Sequence, residues 1–152
     1  MELVFFEDIE IGEKKVLGEH YVDKDEIVEF AKKWDPQPFH VDEEIAKTHP
    51  FGGLIASSNY TLCIITLLAQ MQETPDVANL GLLEYERVKI LNPVRPGDRL
   101  TVLAEHIEKR ESQTKPDRGI LRTLVEVRNQ NGELNLSYIA TVMIARRSSV
   151  NI

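Results

Sequence analysis

Apolar residues spaced for a helix mark the first clear element of the chain. Residues at i, i+3, i+4 and i+7 among charged neighbours predict an amphipathic helix over about 23–34. They are Ile27, Phe30, Ala31 and Trp34. Asp23 is the expected N-cap, with Glu26 completing a capping box. Because Pro36 disfavours helical geometry at Asp35, the helix should end there and a loop should begin.

Two further helices are predicted before the midpoint of the chain. A short one over about 42–48 is capped by Asp42 and ends before a His-Pro pair. A longer one runs from Ser57 or Ser58 to about Met71 and is apolar on most sides. A helix of that composition is expected to be buried inside the fold.

The second half of the chain has the composition and alternation of β-strands. The segments are rich in Val, Ile, Leu, Thr and Tyr and cover 83–91, 99–110, 120–129 and 134–145, with a shorter strand at 15–22. Asn131-Gly132 predicts a hairpin, and Pro96-Gly97 predicts a turn. A run of helices followed by a run of strands favours an α+β fold, with one long helix wrapped by a curved antiparallel sheet. We expect a single domain over residues 1–152.

Charge and composition narrow the possible partners. With 25 acidic against 18 basic residues and a net charge of -7, the chain lacks the basic character of a nucleic-acid binder. The longest apolar run, 62–69, is too short to cross a bilayer, and no export signal is present at the N-terminus, so we expect no membrane association. The single Cys63 indicates a reducing, cytoplasmic setting and is expected to be a buried, inert thiol.

A carboxylate and an imidazole lie five residues apart in a proline-rich segment, Asp35 to His40. Pro36 and Pro38 stiffen that segment, so the two side chains could be held where they share one water molecule. The alternative is that Asp35 caps backbone groups after the helix and His40 is an ordinary loop histidine.

The segment 51–58 leads directly into the long helix. A helix N-terminus presents unpaired N–H groups, which suit a carbonyl oxygen that gains negative charge in a transition state. Gly52 and Gly53 would let a ligand approach closely. The alternative is a steric turn into a core helix.

Three patterns together resemble the MaoC-like dehydratase family, whose best-known members are R-specific enoyl-CoA hydratases. They are D-x-x-P-x-H at 35–40, D-x-x-x-A at 42–46 and F-G-G-x-I-A at 51–56. Phe6-Glu7-Asp8 with Gly12 and the turn at 92–98 extend the resemblance over most of the chain.

The resemblance implies a hotdog fold and reversible hydration of a 2-enoyl thioester of coenzyme A or acyl carrier protein. It places the catalytic pair at Asp35 and His40 and the oxyanion-binding N–H at Ser58, and it makes Gly53 and Ser57 candidates for substrate binding. It implies no metal or redox cofactor. It further implies a homodimer or a higher homo-oligomer, with the active site near the subunit boundary.

The chain departs from the family pattern at the head of the long helix. The family commonly has His-Gly or Ser-Gly there, whereas this chain has Ser57-Ser58. The departure leaves open a non-catalytic thioester-binding subunit, and a thioesterase is a further alternative. Thr66 stands where related hydratases have a water-holding serine, but it could instead bond back to its own helix. Arg95 and Arg99 could meet coenzyme A phosphates or simply be solvated.

Overall fold

The protein is built on one five-stranded antiparallel sheet. The computed structural model describes residues 2–72 and 76–149. The strands are β1 (Lys14–Tyr21), β2 (Asn79–Ile90), β3 (Arg99–Glu111), β4 (Arg118–Arg128) and β5 (Leu134–Ala145), in the spatial order β1-β3-β4-β5-β2. All neighbouring pairs are antiparallel, so the α+β prediction is confirmed. The hairpin at Asn131-Gly132 is also confirmed, since Gly132 has φ 74° between β4 and β5.

Four helices lie between β1 and β2 in the described part of the chain. They are α1 (Lys24–Trp34), α2 (Pro38–Val41), α3 (Glu43–Thr48) and α4 (Ser58–Gln70). Asp23 caps α1 by accepting from the Glu26 N–H, but the predicted capping box is not completed. The Glu26 carboxylate instead accepts from Tyr60, because tertiary contacts outweigh the local bond. Asp42 caps α3 as predicted.

The hydrophobic core lies between one face of α4 and the sheet. Side chains of α4 pack with side chains from β3, β4 and β5: Tyr60, Ile64, Ile65 and Leu68 meet Leu100, Val102, Val125, Val127, Leu136, Tyr138 and Ala140. The opposite face of α4 is exposed, so the expectation of a helix buried on most sides is wrong. Cys63 lies on that exposed face, and the prediction of a buried thiol is likewise wrong. Trp34, at the end of α1, is 65% exposed rather than part of the core.

None of the helices within residues 2–72 and 76–149 has the length and apolar character needed to cross a bilayer. The predicted single domain includes residues 1, 73–75 and 150–152, which lie outside the described residues. The prediction of one domain over 1–152 stays a prediction.

Candidate active site

Asp35 and His40 are placed by the junction between α1 and α2. Asp35 follows the last residue of α1, and its N–H donates to the Ala31 carbonyl at 2.9 Å. Pro38 then occupies the first turn of α2, where the missing proline N–H costs nothing and its fixed φ suits a helix. The predicted loop therefore contains one helical turn, and His40 belongs to that turn.

His40 is buried, with 6% of its surface exposed. Its Nδ1 lies 2.7 Å from the Ile55 carbonyl oxygen. A carbonyl only accepts, so Nδ1 must carry the proton in this contact. When the ring is neutral, the lone pair is therefore on Nε2.

Asp35 faces that nitrogen across a short gap. Its Oδ2 lies 3.6 Å from His40 Nε2, which is too long for a direct hydrogen bond. The same oxygen accepts a 2.6 Å hydrogen bond from the Ser57 hydroxyl. Two side chains predicted from the sequence as a pair are thus brought together, and Ser57 orients one of them from 22 residues away in the chain.

Ser57 also caps α4, because its Oγ accepts from the Asn59 N–H at 3.2 Å. Ser58 is the first residue of α4, and the first N–H groups of a helix have no intrahelical partner. Ser57 is 1% exposed, whereas Ser58 is partly exposed. At the start of α4, the capping residue Ser57 is therefore buried, and the next residue, Ser58, is more accessible.

The glycine segment before α4 is held by Arg95. The Arg95 guanidinium donates to the Phe51 carbonyl at 2.7 Å. Gly52 has φ 71°, a conformation that favours glycine. Gly53 is partly exposed, and a Cβ built on it would lie 3.6 Å from Arg95 Nη1. Arg95 thus has a structural contact here, and Arg99 is exposed.

A cavity of about 110 Å³ opens beside the start of α4. Its lining includes four polar residues, Ser58, Thr61, Asn92 and Asn135, and apolar residues such as Ile55, Ile90, Leu91 and Val94. Neither Asn92 nor Asn135 was singled out as polar lining by the sequence patterns. The available signal for Asn135 was that it is the one amide side chain in a strand composed mainly of apolar residues.

Thr66 lies on the exposed side of α4, and its hydroxyl donates to the Leu62 carbonyl at 3.2 Å. This is the back-bonded arrangement that the sequence left open. His49 packs its ring on Phe39 and Phe51, and its buried Nδ1 has no hydrogen-bond partner among the described residues.

A second polar network fixes the start of α4 from the other side. The Tyr60 hydroxyl donates to Glu26 Oε1 at 2.5 Å, and His20 Nε2 lies 2.8 Å from the same oxygen. Burial raises the pKa of Tyr60, and the adjacent Glu26 carboxylate raises it further. For Glu26, burial acts to raise the pKa, but hydrogen bonds from Tyr60 and His20 hold it below its usual value. The hydrogen bond between Tyr60 on α4 and Glu26 on α1 therefore holds these two helices together.

Within residues 2–72 and 76–149, no group of three or more His, Cys, Asp and Glu side chains is placed to hold a metal ion. The chemistry that the described side chains support is acid–base chemistry at Asp35 and His40. The roles assigned to Ser58, Gly53, Ser57 and Thr66 stay predictions.

The fold and the site together define a hotdog protein in which a buried imidazole and a partly exposed carboxylate lie beside a helix N-terminus. The profile of the MaoC-like domain matches residues 8–129, and the chain belongs to this family. This confirms the family resemblance seen in the sequence.

Known proteins similar to this chain agree with that assignment. A MaoC-like dehydratase from Rhodospirillum rubrum is 35% identical, with a TM-score of 0.84 over 95% of this chain and 98% of the other. The uncharacterized protein YdeM from Bacillus subtilis is 35% identical over 109 residues, 72% of this chain and 76% of its own length. The R-hydratase PhaJ1 from Pseudomonas aeruginosa has a TM-score of 0.73 over 95% of this chain and 88% of the other, and at 24% identity it shows the shared hotdog fold.

Proposed function

We propose that this protein is a hydratase or dehydratase that reversibly adds water to a 2-enoyl thioester. The observation that carries the proposal is the placement of Asp35 and His40, with Nε2 and Oδ2 separated by 3.6 Å. His40 is anchored through its far nitrogen Nδ1, and Ser57 holds Asp35 through the same Oδ2. That gap is too long for a direct bond, and a water molecule beside it can bond to both groups. Membership in a family that includes a MaoC-like dehydratase supports the same chemistry.

The hydrogen bond from His40 Nδ1 supports a role for this residue as the base in hydration. With Nδ1–H donated to Ile55, Nε2 can take a proton from the water while Asp35 holds the second hydrogen. The water oxygen bonds to C3 of the enoyl group, and the electrons of the double bond move toward the thioester carbonyl. The proton held by the pair is then delivered to C2, so that H and OH are added across C2 and C3. Dehydration follows the same steps in reverse.

The start of α4 supports stabilisation of the thioester oxygen. Ser57 already bonds to the Asn59 N–H, so we assign the oxyanion to the Ser58 N–H, which has no partner within the helix. The helix dipole adds partial positive charge at this end. Because a backbone N–H is supplied by any residue but proline, serine in place of the family's glycine keeps the donor.

Water addition to an enoyl thioester involves no change of redox state, so the proposed reaction requires no redox cofactor, and we assign no metal to it. The carrier is coenzyme A or acyl carrier protein. We place the protein in the cytoplasm, consistent with its single Cys63.

We further propose that two copies pair through β2. This strand lies at the end of the sheet and pairs on one side with β5. It carries exposed apolar side chains, among them Leu82, Leu83, Val88 and Ile90, the last 61% exposed. An unpaired edge strand of this length with exposed apolar side chains is a template for strand pairing, and a second copy supplies the same edge with two-fold symmetry.

The decisive experiment is a hydration assay with crotonyl-CoA. With wild-type protein, the absorbance of the enoyl thioester should decrease, and no free thiol should be released. Asp35→Asn should abolish turnover, and so should His40→Gln, whose amide is close in size to the imidazole. Release of thiol instead would identify a thioesterase. Binding of acyl-CoA without turnover across chain lengths would identify a binding subunit, and either result would overturn the proposal.

A further inference from the structure

A second pocket, of about 290 Å³, opens on the face of the sheet that is turned away from α4. Its lining includes three cationic and three apolar side chains: Arg110, Lys115, Arg118, Leu83, Ile120 and Met143. Ile120 lies five residues from the core residue Val125 on β4, so the two side chains point to opposite faces of the sheet. The volume approaches the roughly 300 Å³ at which small-molecule sites begin.

This outer pocket is distant from the candidate active site. Val127 pairs with Leu136, which lines the cavity beside Ser58. Ile120 is seven residues from Val127 on the same strand, a separation of about 23 Å in an extended chain. Pairing of two copies through β2 extends the sheet sideways and leaves its outer face open. The outer pocket is therefore a separate site.

The floor of the outer pocket is a row of neighbours across the sheet. Arg110 pairs with Ile120, and Ile120 pairs with Met143. Opposite residues of paired strands share a face, so one cation and two apolar side chains lie side by side. Gly81 of β2 is the next residue in the row, and a Cβ built on it would lie 3.6 Å from Met143 Cε. The absence of a side chain there leaves space beside Met143.

The third cation, Arg118, presents one edge of its guanidinium to the pocket wall. Its Nε and Nη2 donate to Asp117 at 2.7 and 2.9 Å. Its remaining nitrogen, Nη1, lies 3.7 Å from the sulfur of Met143, which lines the pocket. Arg118 is thus neutralised by Asp117 while it still offers N–H groups on the pocket side.

The charges of Arg110 and Lys115 are not neutralised in this way. Among the described residues, neither side chain is in ion-pair contact with a carboxylate, and Arg110 donates only to the Glu111 carbonyl, at 3.4 Å. By contrast, Arg122 on the same face of β4 is paired with two carboxylates, those of Glu86 and Glu108. In a chain with a net charge of -7, two uncompensated cations over an apolar floor favour an anionic ligand with an apolar part.

We infer that the outer pocket binds an aliphatic carboxylate. The carboxylate lies against Arg110 and Lys115, since both are charged donors, and the chain covers the apolar floor. Asp117 favours a singly charged head group over a phosphate dianion. Its pKa is held below the usual value by the hydrogen bond from Arg118 and further by the charge of Lys115, so it is ionised at neutral pH and repels a dianion more strongly.

The test is an NMR titration of protein labelled with ¹³C at the methionine methyl groups. Met143 lines the pocket, whereas Met71 lies at the end of α4 and is 66% exposed. Octanoate should shift the Met143 signal to saturation and leave the Met71 signal unchanged, with Met143→Leu supplying the assignment. Octan-1-ol has the chain without the charge, and acetate has the charge without the chain. Each should bind at least about tenfold more weakly than octanoate.

The double variant Arg110→Gln/Lys115→Gln should weaken octanoate binding about tenfold. Arg99→Gln/Lys32→Gln is the matched control, because it removes the same two residue types from exposed positions outside the pocket. Its affinity for octanoate should equal that of the wild type. The comparison of octanoate with octan-1-ol and acetate uses the wild type alone, so the inference is tested even if a variant does not fold.

Three results would each overturn the inference. They are an unchanged Met143 signal, equal shifts of Met143 and Met71, and octan-1-ol binding as tightly as octanoate. An equal loss of affinity in both double variants would also overturn it, because the anion would then respond only to the total charge of the protein. The outcome is independent of crotonyl-CoA hydration, since the outer pocket contains neither Asp35 nor His40.

Discussion

Replacing Ser57 by alanine tests the link between the candidate active site and the helix that carries it. Ser57 is 1% exposed, and its hydroxyl has two partners: it accepts from the Asn59 N–H and donates to Asp35 Oδ2. The substitution removes both bonds and little volume. We therefore expect a loss of stability and a loss of turnover from one change.

The expected size follows from the two bonds. Loss of an N-cap side chain costs about 1 kcal/mol, and a hydrogen bond to a carboxylate contributes about 1.5–3 kcal/mol. The lower end applies here, because the Asp35 side chain is 25% exposed and water can replace the lost donor. The free energy of unfolding should fall by about 2.5 kcal/mol, which corresponds to a Tm lower by roughly 5–10 °C for a chain of this length. Turnover of crotonyl-CoA should fall about tenfold or more, because Asp35 is no longer oriented.

Urea unfolding of the single and double variants separates the two bonds. In a double-mutant cycle with Asp35→Ala, the coupling energy reports the Ser57–Asp35 bond without the cap, and we expect about 1 kcal/mol or more. Ser58→Ala is the stability control, because it removes the same hydroxyl group from the next residue in the chain. It should change the free energy of unfolding by less than about 0.5 kcal/mol. A coupling energy near zero, or a Ser57→Ala variant as stable as the control, would refute the reasoning.

Three other perturbations test separate parts of the structure. Tyr60→Phe removes the donor that lowers the pKa of Glu26. The ionised Glu26 carboxylate stabilises the folded protein fully above its usual pKa near 4.5, and this stabilisation is lost as pH falls through the lowered pKa. The variant should therefore be more destabilised at pH 7 than at pH 3. Equal shifts of the urea unfolding midpoint at the two pH values would contradict this. Gly119→Ala places a Cβ against the Phe6 ring and should lower the free energy of unfolding by about 1–3 kcal/mol. Adding Phe6→Leu should restore part of that stability, and thermal unfolding of the single and double variants measures both effects. Leu82→Glu puts a charge on the exposed apolar strand β2 and should shift sedimentation toward a single chain, whereas an unchanged mass would argue against pairing through this strand.

Periodicity and turn residues predicted most of the fold, since each depends on local geometry. The start of α1 at Asp23, the start of α4 at Ser57-Ser58 and the full length of β5 match the structure. The helical turn α2 was missed because Pro38 was interpreted as stiffening a loop. Proline is also favoured in the first turn of a helix, and that was the available signal.

Burial was less predictable, because it depends on which face of an element meets another. The apolar composition of α4 suggested burial on most sides, but one sheet can cover only one face of a helix, so Cys63 is exposed. Asp35 and His40 could be found from the sequence because they share a short segment. Ser57 was also a candidate, but its bond to Asp35 could not be predicted, because tertiary packing brings the two side chains together. The position of Asn135 beside the cavity depends on a register shift between β4 and β5, which the sequence does not reveal.

The order of strands in the sheet determines when the chain can finish folding. The neighbour of β2 in the sheet is β5, so the strand that ends at Ile90 has no sheet partner until the segment ending at Ala145 has been made. At about 5–20 residues per second of synthesis, the apolar β2 waits several seconds beside an incomplete core. Pairings distant in sequence also slow folding in the completed chain. The last strand of the sheet to be synthesised is thus the one that joins β2 to the other strands.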